Sequence, residues 1–294
     1  GRGAADLRTP MRRYAVIGWP LGHSMSPAVH NASFRALGLP CRFESIPVPP
    51  DGLDAFIRAL PASGLRGLAV TIPHKCAVLA RCATVAPDAA AIGAANTVTV
   101  GEDGGLAACN TDAPGALRAL AEAKVAVAGA RAVILGAGGA ARAICWGLLR
   151  GGAASVAIAN RTPARAERLR DDLARACGAE RRIAVIPAAG PALAEAVASA
   201  GILVNATSVG MHPKTGESPI RREFLRPGLS VLEIVYNPIE TRLLADARAA
   251  GAVAIPGMEM LLWQAAEQER VWLGVEAPVD EMREALLSGL GRSL

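Results

Sequence analysis

Lysine is rare in this 294-residue chain, which has 31 lysines and arginines together but only three lysines: Lys75, Lys124 and Lys214. Lys75 closely follows an apolar run, residues 67–71, that predicts a buried strand. A lysine at the end of a core strand is partly removed from water, which brings an ammonium group closer to proton exchange, and arginine offers no such exchange. Lys75 is therefore a candidate acid–base group, although a solvated lysine at a helix start would look the same in the sequence.

Three further polar residues stand where predicted strands end or begin, namely Thr71, Asn96 and Asp112. Asn96 precedes a predicted strand, and the glycine pair at 104–105 predicts a hairpin turn after that strand. The second strand of the hairpin leads to Asp112. If the strands that carry Thr71 and Asn96 are neighbours, these side chains and Lys75 face one crevice. Asp112 also stands at a predicted helix start, so it is a strong helix N-cap, and capping does not exclude substrate binding.

Two hydroxyl side chains, Ser24 and Ser26, follow a predicted strand at residues 13–18. Ser26 precedes Pro27, a favourable first helical residue, and is therefore predicted to be the N-cap of a helix that extends to about residue 37. The two serines either serve only the turn and the cap, or bind a polyol at the strand end. We interpret His30 and His74 as structural or surface histidines.

Residues 131–142, with the sequence RAVILGAGGAAR, predict a strand, a tight turn and a helix. Gly136 and Gly138 can adopt backbone angles closed to other residues, and the amides from Gly138 to Ala140 would point at an anion. Ala141 is small, as a dinucleotide-binding fold requires where helix and strand pack closely. The motif alone is weak, because a chain rich in alanine and glycine also forms ordinary strand–helix turns of this composition.

The next predicted strand, residues 155–159, is followed by Asn160, Arg161, Thr162 and Arg165. NAD-binding proteins usually carry an acidic residue about 20 positions after the glycines, where it holds the ribose 2′-hydroxyl. A guanidinium at this place favours the extra phosphate of NADP instead, and Arg165 could form the second arm of a clamp. The position of Arg161 at a strand end disfavours the alternative that it only begins a helix.

These groups depend on a scaffold of alternating strands and helices. The segments predicted after the glycine motif are 155–159, 182–187, 191–198, 202–205, 229–235, 241–249 and 253–256, and they indicate a doubly wound parallel sheet. The predicted strands at 13–18, 41–47 and 67–71 and a helix at 53–60 belong to a first domain. Gln264 lies on an otherwise apolar helical face, and because a buried glutamine needs partners, we expect the terminal helices to fold back over the crevice.

Composition limits the class of protein. The chain is 52% hydrophobic and 19% charged, which is typical of a soluble globular protein long enough for two domains. Its longest stretch without charged residues, 196–213, contains polar side chains and predicts no membrane span, and residues 1–10 lack the apolar core of a signal peptide. A net charge of +5 from scattered arginines, with 3% aromatic residues, disfavours nucleic-acid binding. Six cysteines without a CxxC pair or histidine partners indicate a reduced cytoplasmic protein without a structural metal.

Nine short motifs together resemble the shikimate dehydrogenase family and occur in the family's order. They are SMSP, VTIPHK, GAANT, NTD, GAGGAA, NRT, NATSVGM, VYNP and GMEMLLWQA. The resemblance covers nearly the whole chain from Arg13 onward. It implies an α/β fold in which an open α/β/α substrate domain, residues 11–112 completed by helices at 257–294, is joined to a Rossmann-type doubly wound parallel sheet at 113–256.

The same resemblance implies the reversible reduction of 3-dehydroshikimate to shikimate with NADPH, in the groove between the domains. Lys75, paired with Asp112, would be the proton-transfer centre, and no metal is implied. The implied substrate-binding residues are Ser24, Ser26, Thr71, Lys75, Asn96, Asp112, Tyr236 and Gln264. The implied cofactor-binding residues are Gly136, Ala137, Gly138, Gly139, Ala140, Asn160, Arg161, Thr162, Arg165, Ile234 and Gly257. We expect a monomer or homodimer that acts on a small molecule and binds neither nucleic acid nor membrane.

Three positions depart from the family pattern. Ala69 stands where asparagine is common, Glu233 where aspartate is usual, and Asp112 is followed by Ala-Pro where glycine is usual. Because Ala69 removes a polar group near the substrate strand, a paralogue acting on quinate, an aminoshikimate or another cyclic polyol acid stays an alternative. A non-catalytic metabolite sensor is a further alternative, but a sensor would not need both Lys75 and Asp112.

Overall fold

The protein is represented by a computed structural model that describes residues 10–22 and 24–291. The signal-peptide expectation for residues 1–10 therefore falls almost entirely outside the described residues, as do the last three residues of the predicted C-terminal helices. The elements before the glycine motif are β1 (Arg12–Gly18), α1 (Ser26–Ala36), β2 (Cys41–Pro47), α2 (Leu53–Ala59), β3 (Leu65–Val70), β4 (Thr84–Val85), α3 (Pro87–Ile92), β5 (Thr97–Val100), β6 (Leu106–Cys109) and α4 (Asp112–Glu122).

The remaining elements alternate strand and helix, except that β11 follows β10 without an α-helix between them, as the predicted segments also have it, and the chain ends in two helices. They are β7 (Arg131–Leu135), α5 (Gly139–Arg150), β8 (Ser155–Ala159), α6 (Pro163–Cys177), β9 (Ile183–Ile186), α7 (Pro191–Ser199), β10 (Ile202–Asn205), β11 (Ser230–Glu233), α8 (Arg242–Ala249), β12 (Val253–Ile255), α9 (Gly257–Leu273) and α10 (Val279–Gly289).

The first sheet has six strands in the order β2-β1-β3-β5-β6-β4 and is mixed. β1 is parallel to β2 and β3, whereas β5 is antiparallel to β3 and β6. Ala69 on β3 pairs with Thr97 on β5, so the end of β3 and the start of β5 lie at the same sheet edge. The condition for a common crevice, that the strands carrying Thr71 and Asn96 are neighbours, is therefore met.

The second sheet has six parallel strands in the order β12-β11-β10-β7-β8-β9. The chain runs outward from β7 to β9 on one side and from β10 to β12 on the other, so the order reverses between β7 and β10. In open parallel sheets a ligand crevice forms at this reversal, beyond the carboxyl ends of the strands. The predicted α/β fold with a doubly wound parallel sheet is confirmed.

Alternate residues of β7 pack on opposite faces of this sheet. Ala132 and Ile134 belong to an apolar cluster that includes side chains of α5 and α6, and Val133 and Leu135 belong to a cluster that includes side chains of α7 and α8. A strand buried on both faces has a continuous apolar sequence, which is why residues 131–135 were recognisable. The glycine turn is thus fixed at the centre of a packed layer.

The terminal helices return to the first sheet. Met258 and Leu262 on α9 pack with Met282 on α10 and with Val29 on α1. Gly67 on β3 leaves room for the Trp272 ring, since an added Cβ there would lie 2.6 Å from Trp272 Nε1. The expectation that these helices fold back over the first part of the chain agrees with these contacts.

Helix α1 begins one residue earlier than predicted. Met25 occupies the N-cap place with helical backbone angles (φ −91°, ψ −2°), and its carbonyl accepts a hydrogen bond of 3.1 Å from the Val29 amide. Ser26 is therefore the first helical residue, and the prediction that it is the N-cap is wrong. The side-chain hydroxyl is left available for another partner because it makes no capping hydrogen bond.

Candidate active site

Lys75 and Asp112 form an ion pair, with 2.5 Å between Lys75 Nζ and Asp112 Oδ2. The two side chains are 14% and 5% exposed, respectively. A pair so little exposed is screened only weakly by solvent. The two residues that the sequence singled out for proton transfer are therefore in direct contact.

The backbone on both sides of Lys75 is held in place. Its carbonyl accepts a 2.8 Å hydrogen bond from the Ala95 amide, which ties the turn after β3 to the segment before β5. The neighbouring His74 is buried and donates from Nε2 to the Val48 carbonyl at 2.7 Å. His74 is thus structural, and it fixes the turn that carries Lys75.

Asp112 is the first residue of α4 rather than its cap. The side-chain oxygen of Asn110 accepts from the amides of Asp112 (3.0 Å) and Ala113 (3.3 Å), as a capping side chain does. The prediction that Asp112 caps the helix is wrong, because Asn110 supplies the acceptor. Both carboxylate oxygens of Asp112 remain free for Lys75 and Asn96, and the Ala-Pro that follows lies within the first turn of α4.

Asn96 connects the pair to the rest of the crevice. Its side-chain amide donates to Asp112 Oδ1 at 3.0 Å and to Gln264 Oε1 at 3.1 Å, and its side-chain oxygen accepts from the Thr111 amide at 2.7 Å. Gln264 in turn donates to the Leu261 carbonyl at 2.9 Å. Lys75, Asp112, Asn96 and Gln264 therefore form one connected polar group from separate stretches of chain.

Close packing of α4 and α9 brings Gln264 to this group. A Cβ added to Gly115 would lie 2.8 Å from Gln264 Cβ and 2.8 Å from the backbone nitrogen of Gln264, a distance that real side chains do not tolerate. Glycine at this place lets the two helices approach. The buried position of Gln264 thus has the polar partners that the sequence required of it.

Ser24 lies against Tyr236, which comes from the loop after β11. Burial raises the pKa of the Tyr236 phenol, and hydrogen bonds with the Met25 backbone and the Ser24 hydroxyl oppose that effect. Thr71 stands beside the end of β1, since a Cβ added to Gly18 would lie 2.4 Å from Thr71 Cγ2. Ser24 and Tyr236 form a second polar group, which the described hydrogen bonds do not join to the Lys75 group.

The glycine motif forms the predicted strand, turn and helix. Gly136 has a φ of +112°, which favours glycine, and an added Cβ there would lie 2.8 Å from the Ala206 carbonyl at the end of β10. Gly138 faces open space, and Ala141 is fully buried under the helix. A turn that leaves its amides exposed in front of a helix N-terminus fits a pyrophosphate group.

Gly139 brings the glycine turn to Lys75. A Cβ added at Gly139 would lie 2.8 Å from Lys75 Cβ and 3.1 Å from Lys75 Cδ. The stem of the lysine therefore crosses the crevice and lies directly on the first residue of α5. This contact joins the predicted acid–base pair to the predicted cofactor site.

Arg161, Thr162 and Arg165 are exposed at the carboxyl end of β8, the strand next to β7. The side chain of Asn160 donates to the Thr162 carbonyl at 2.8 Å and holds this loop. Neither guanidinium pairs with a carboxylate in the part of the chain that the structure describes. Two exposed cations beyond the ribose position are suited to a phosphate on the 2′-hydroxyl.

The loop after β11 lies at the same carboxyl edge of the parallel sheet as the glycine turn, and it contacts Gly257 at the start of α9. An added Cβ on Gly257 would lie 2.4 Å from the Val235 carbonyl and 2.8 Å from the Ile234 carbonyl carbon, so Gly257 permits this approach. Glu233 is fully buried just before the loop and accepts hydrogen bonds from Asn205, Val235 and Thr241. Burial raises the pKa of Glu233 to about 7, although these hydrogen bonds lower it.

Several residues of the site were missed by sequence reasoning. Thr97 and Thr111 form part of the Asn96 group, and Gln268 donates to the Asn96 carbonyl at 3.1 Å. Two signals could have pointed to them: the repeated Asn-Thr pair at 96–97 and 110–111, and the spacing of four between Gln264 and Gln268, which places both on one helix face.

In residues 10–22 and 24–291, no cluster of three or more His, Cys, Asp or Glu side chains could hold a metal ion. Over the same residues, no helix combines the length and the apolar character that a membrane crossing requires.

The chain matches three family models. They are the shikimate dehydrogenase substrate binding domain over residues 16–98, shikimate / quinate 5-dehydrogenase over residues 119–215, and the shikimate 5′-dehydrogenase C-terminal domain over residues 257–287. A shikimate dehydrogenase (NADP+) from Rubrobacter xylanophilus is 48% identical over 278 residues, which are 94% of this chain and 95% of that protein.

Solved structures of similar proteins agree in fold. The shikimate 5-dehydrogenase of Thermus thermophilus, in complex with NADP(H) and shikimate, is 37% identical with a TM-score of 0.84 and covers 95% of this chain and 100% of its own. A quinate dehydrogenase from Corynebacterium glutamicum in complex with NAD is 32% identical with a TM-score of 0.87 over 95% and 100% of the two chains. On sequence, fold and site geometry together, the chain belongs to the shikimate dehydrogenase family.

Proposed function

We propose that the protein is an NADP-dependent shikimate dehydrogenase, which interconverts 3-dehydroshikimate and shikimate. The observation that carries the proposal is the Lys75–Asp112 pair, 2.5 Å apart and lying on Gly139 of the glycine turn. Oxidation of a secondary alcohol needs one group to handle the hydroxyl proton next to a hydride acceptor. The crevice brings such a group to the turn where the acceptor would be held.

The residues at the second sheet fit NADP. Gly138 and the start of α5 offer backbone amides and open space to the pyrophosphate, whereas the amide of Gly136 donates to the Ala159 carbonyl and Gly136 shapes the turn. Arg161 and Arg165 offer positive charge to the 2′-phosphate. Ile234 and Gly257 border the same crevice from the other side. When bound, NADP+ supplies the hydride acceptor, and the remaining work is done by residues of this chain.

We assign the proton-handling role to Lys75. In the direction of 3-dehydroshikimate reduction, the ammonium group of Lys75 donates a proton to the carbonyl oxygen as a hydride reaches the carbonyl carbon. In shikimate oxidation the neutral amine of Lys75 takes the hydroxyl proton back, and in both directions Asp112 holds the lysine in place. Asn96, Gln264 and Thr71 would bind ring hydroxyls. Ser24, Ser26 and Tyr236 would bind the remaining polar groups of the substrate, including its carboxylate, so that the substrate joins the two polar groups of the crevice.

Quinate is the second candidate substrate because a similar protein of known structure is a quinate dehydrogenase. The sequence alone also left quinate open, since Ala69 replaces the asparagine that is common in the family. In the structure Ala69 is 6% exposed and packs with Tyr14, Val16 and Phe43 in an apolar cluster. A side chain at this position therefore points into the core beside α1. This placement supports shikimate, since the loss of asparagine removes no group from the residues assigned to the substrate.

We propose that residues 11–112 with the terminal helices form the substrate domain and residues 113–256 the NADP domain. We propose that the protein works in the cytoplasm as a monomer or homodimer. Size-exclusion chromatography with light scattering distinguishes the two assemblies.

To test this function, nicotinamide absorbance is measured with purified protein in four combinations, each of shikimate and quinate with each of NADP+ and NAD+. We expect rapid reduction with shikimate and NADP+ and slow reduction in the other three combinations. Faster turnover of quinate would replace the proposed substrate. No turnover of either acid, together with tight binding of shikimate, would favour the metabolite sensor.

A direct test of the proton-handling role is Lys75→Ala. We expect kcat for shikimate to fall by roughly two to four orders of magnitude, because the hydroxyl proton loses its acceptor. The dissociation constant of NADP+, measured by fluorescence titration, should stay unchanged. Lys214→Ala is the matched control, since Lys214 is exposed and lies 3.7 Å from Glu217 in a surface pair. Unchanged kcat in Lys75→Ala would remove Lys75 from the reaction.

A further inference from the structure

A continuous chain of buried hydrogen bonds runs from α1 through α9 to the catalytic crevice. Its members are His30, Ser33, Glu269, Gln268, Thr97, Asn96, Thr111 and Asp112. Each of them is between 0% and 3% exposed. Polar groups buried to this extent are costly unless every donor and acceptor is satisfied, so the polarity of each contact can be worked out.

The orientation of the Gln268 amide follows from its partners. Gln268 Nε2 lies 3.1 Å from the Asn96 carbonyl oxygen, which only accepts, and 3.2 Å from Thr97 Oγ1. The amide nitrogen therefore faces Asn96, and Gln268 Oε1 faces His30 Nε2 at 3.2 Å. Because Oε1 only accepts, His30 Nε2 must carry a hydrogen.

The other ring nitrogen of His30 is set by Glu269. His30 Nδ1 lies 2.8 Å from Glu269 Oε1, and the Ser33 hydroxyl donates to Glu269 Oε2. A contact between Nδ1 and a carboxyl oxygen requires one proton between them, from either partner. In both cases Nε2 carries a hydrogen because Gln268 Oε1 only accepts, and Glu269 holds the ring in this orientation through its contact with Nδ1. Stacking on Phe43, with ring centroids 4.2 Å apart, fixes the imidazole plane.

The far end of this chain is the acid–base pair. Gln268 holds the backbone of Asn96, whose side chain donates to Asp112 Oδ1 at 3.0 Å, while Asp112 Oδ2 lies 2.5 Å from Lys75 Nζ. A rotation or shift of the Asn96 peptide would therefore move the carboxylate that holds the lysine. His30 also lies one helical turn after Ser26 on α1, so the same contacts fix the helix that begins with the substrate serine.

We propose that His30, Glu269 and Gln268 are positioning residues for the reaction: Glu269 orients the His30 ring through Nδ1, His30 holds the Gln268 amide through Nε2, and Gln268 holds Asn96 and, through it, Asp112. This proposal rests on the proposed function of the crevice. Apolar side chains of similar volume would stabilise a helix contact as well or better than a buried ionisable pair. The gain from the polar chain is a single orientation of the groups around Asp112.

The first test is Gln268→Met, which keeps the length of the side chain and removes the amide. We expect kcat for shikimate to fall by about 10- to 100-fold, because small displacements of a reacting group have effects of this size. The KM for NADP+ should change by less than about threefold, since the cofactor residues lie elsewhere. Val100→Ala is the matched control, because Val100 packs on the opposite face of the same sheet and its truncation lowers stability without touching the polar chain.

The second test compares Glu269→Gln with Glu269→Leu. A glutamine can donate to His30 Nδ1 and accept from Ser33, so we expect Glu269→Gln to keep kcat within about threefold of the original protein. Leucine can do neither, so Glu269→Leu should lose kcat to the same degree as Gln268→Met. Rescue by the amide would show that hydrogen-bond polarity, rather than folding alone, is what Glu269 supplies.

The outcomes separate this inference from the proposed function. Shikimate oxidation by the unaltered protein is measured first, and its absence would reject the proposed function. With that activity present, an unchanged kcat in Gln268→Met, whatever its melting temperature, would overturn the positioning role. Equal losses in Glu269→Gln and Glu269→Leu would overturn the role of Glu269 in setting the histidine. If Glu269→Leu does not fold, Gln268→Met and Glu269→Gln still decide both points.

Discussion

Gly139 lies against Lys75 and in the turn that we propose binds the cofactor, and these two neighbours would place different requirements on it. Its place at the start of α5 exposes its amide to an anion, while the absence of a side chain admits the stem of Lys75. Its neighbour Gly138 faces open space on the same turn. An added Cβ would therefore meet Lys75 at Gly139 but open space at Gly138, so we expect the two glycines to have separable roles.

We expect Gly139→Ala to lower kcat by about 10- to 100-fold, because the new Cβ would lie 2.8 Å from Lys75 Cβ and displace the lysine. Binding of NADP+ should be nearly unchanged, since the methyl group points at Lys75. Gly138→Ala is the companion variant and should weaken NADP+ binding instead, since its methyl group enters the open space in front of the helix. Stopped-flow turnover and fluorescence titration measure the two effects. The same loss pattern in both variants would contradict separate roles.

Arg161 decides the choice between NADP+ and NAD+ in our interpretation. Arg161→Ala should weaken NADP+ by about tenfold or more, the value of a hydrogen bond to a charged group, and leave NAD+ almost unchanged. Arg168→Ala, at an exposed position further along α6, provides the control. Titration with both nucleotides gives the four dissociation constants. Equal weakening of NADP+ and NAD+ by Arg161→Ala would exclude the phosphate contact.

At the scale of elements, Glu233 joins three segments of the second sheet. It accepts hydrogen bonds from Asn205 at the end of β10, from the Val235 amide after β11, and from Thr241 before α8. The loops after β10 and β11 border the predicted cofactor site. Glu233, a glutamate where aspartate is usual in the family, therefore bonds to residues close to Thr207 and Ile234 in these two loops.

The titration of Glu233 should make stability depend on pH. Its pKa is raised from 4.5 to about 7 in the folded protein, so between these values the folded state binds more protons than the unfolded state. The free energy of unfolding should therefore fall as pH rises from 4.5 to 7, by on the order of 3 kcal/mol, and level off above that range. Glu233→Gln, neutral throughout, should lack this part of the slope.

Urea unfolding of both proteins at about pH 5, 6, 7 and 8 measures the difference. The quantity to compare is the free energy of unfolding of the original protein minus that of Glu233→Gln at each pH, which cancels the other titrating groups. Parallel curves for the two proteins would mean that Glu233 keeps an ordinary pKa despite its burial.

At the scale of the whole molecule, Arg142 connects the helices of the second sheet to α3. Its guanidinium donates to the Ile92 carbonyl at 3.2 Å and pairs with Asp172 on α6. The side chain is only 11% exposed. A contact of this kind limits how far the two parts of the chain can separate around the crevice, and Gly93 leaves the space for it.

We expect Arg142→Met to lower the free energy of unfolding by about 1–3 kcal/mol, because it leaves the Ile92 carbonyl and the Asp172 carboxylate without this donor. Arg170→Met should leave the free energy of unfolding essentially unchanged, since Arg170 and Asp171 form an exposed pair that solvent screens. Thermal and urea unfolding give both values. Equal effects of the two substitutions would show that the Arg142 contact contributes no more than a surface ion pair.

Local patterns in the sequence were enough to predict most of the elements and their order, although β4 and α3 were not among them. The apolar runs of β7 and β8, the glycine turn at 136–139 and the nine motifs depend on residues close together in the chain, so they identified the α/β fold, the family and most of the candidate site. Which partners these residues have became visible only in the folded chain. Asn110 rather than Asp112 supplies the capping oxygen, and His30 meets Glu269 across 239 positions of chain. Hydrogen bonds between residues so far apart depend on how α1, α4 and α9 pack, and no local pattern contains that information.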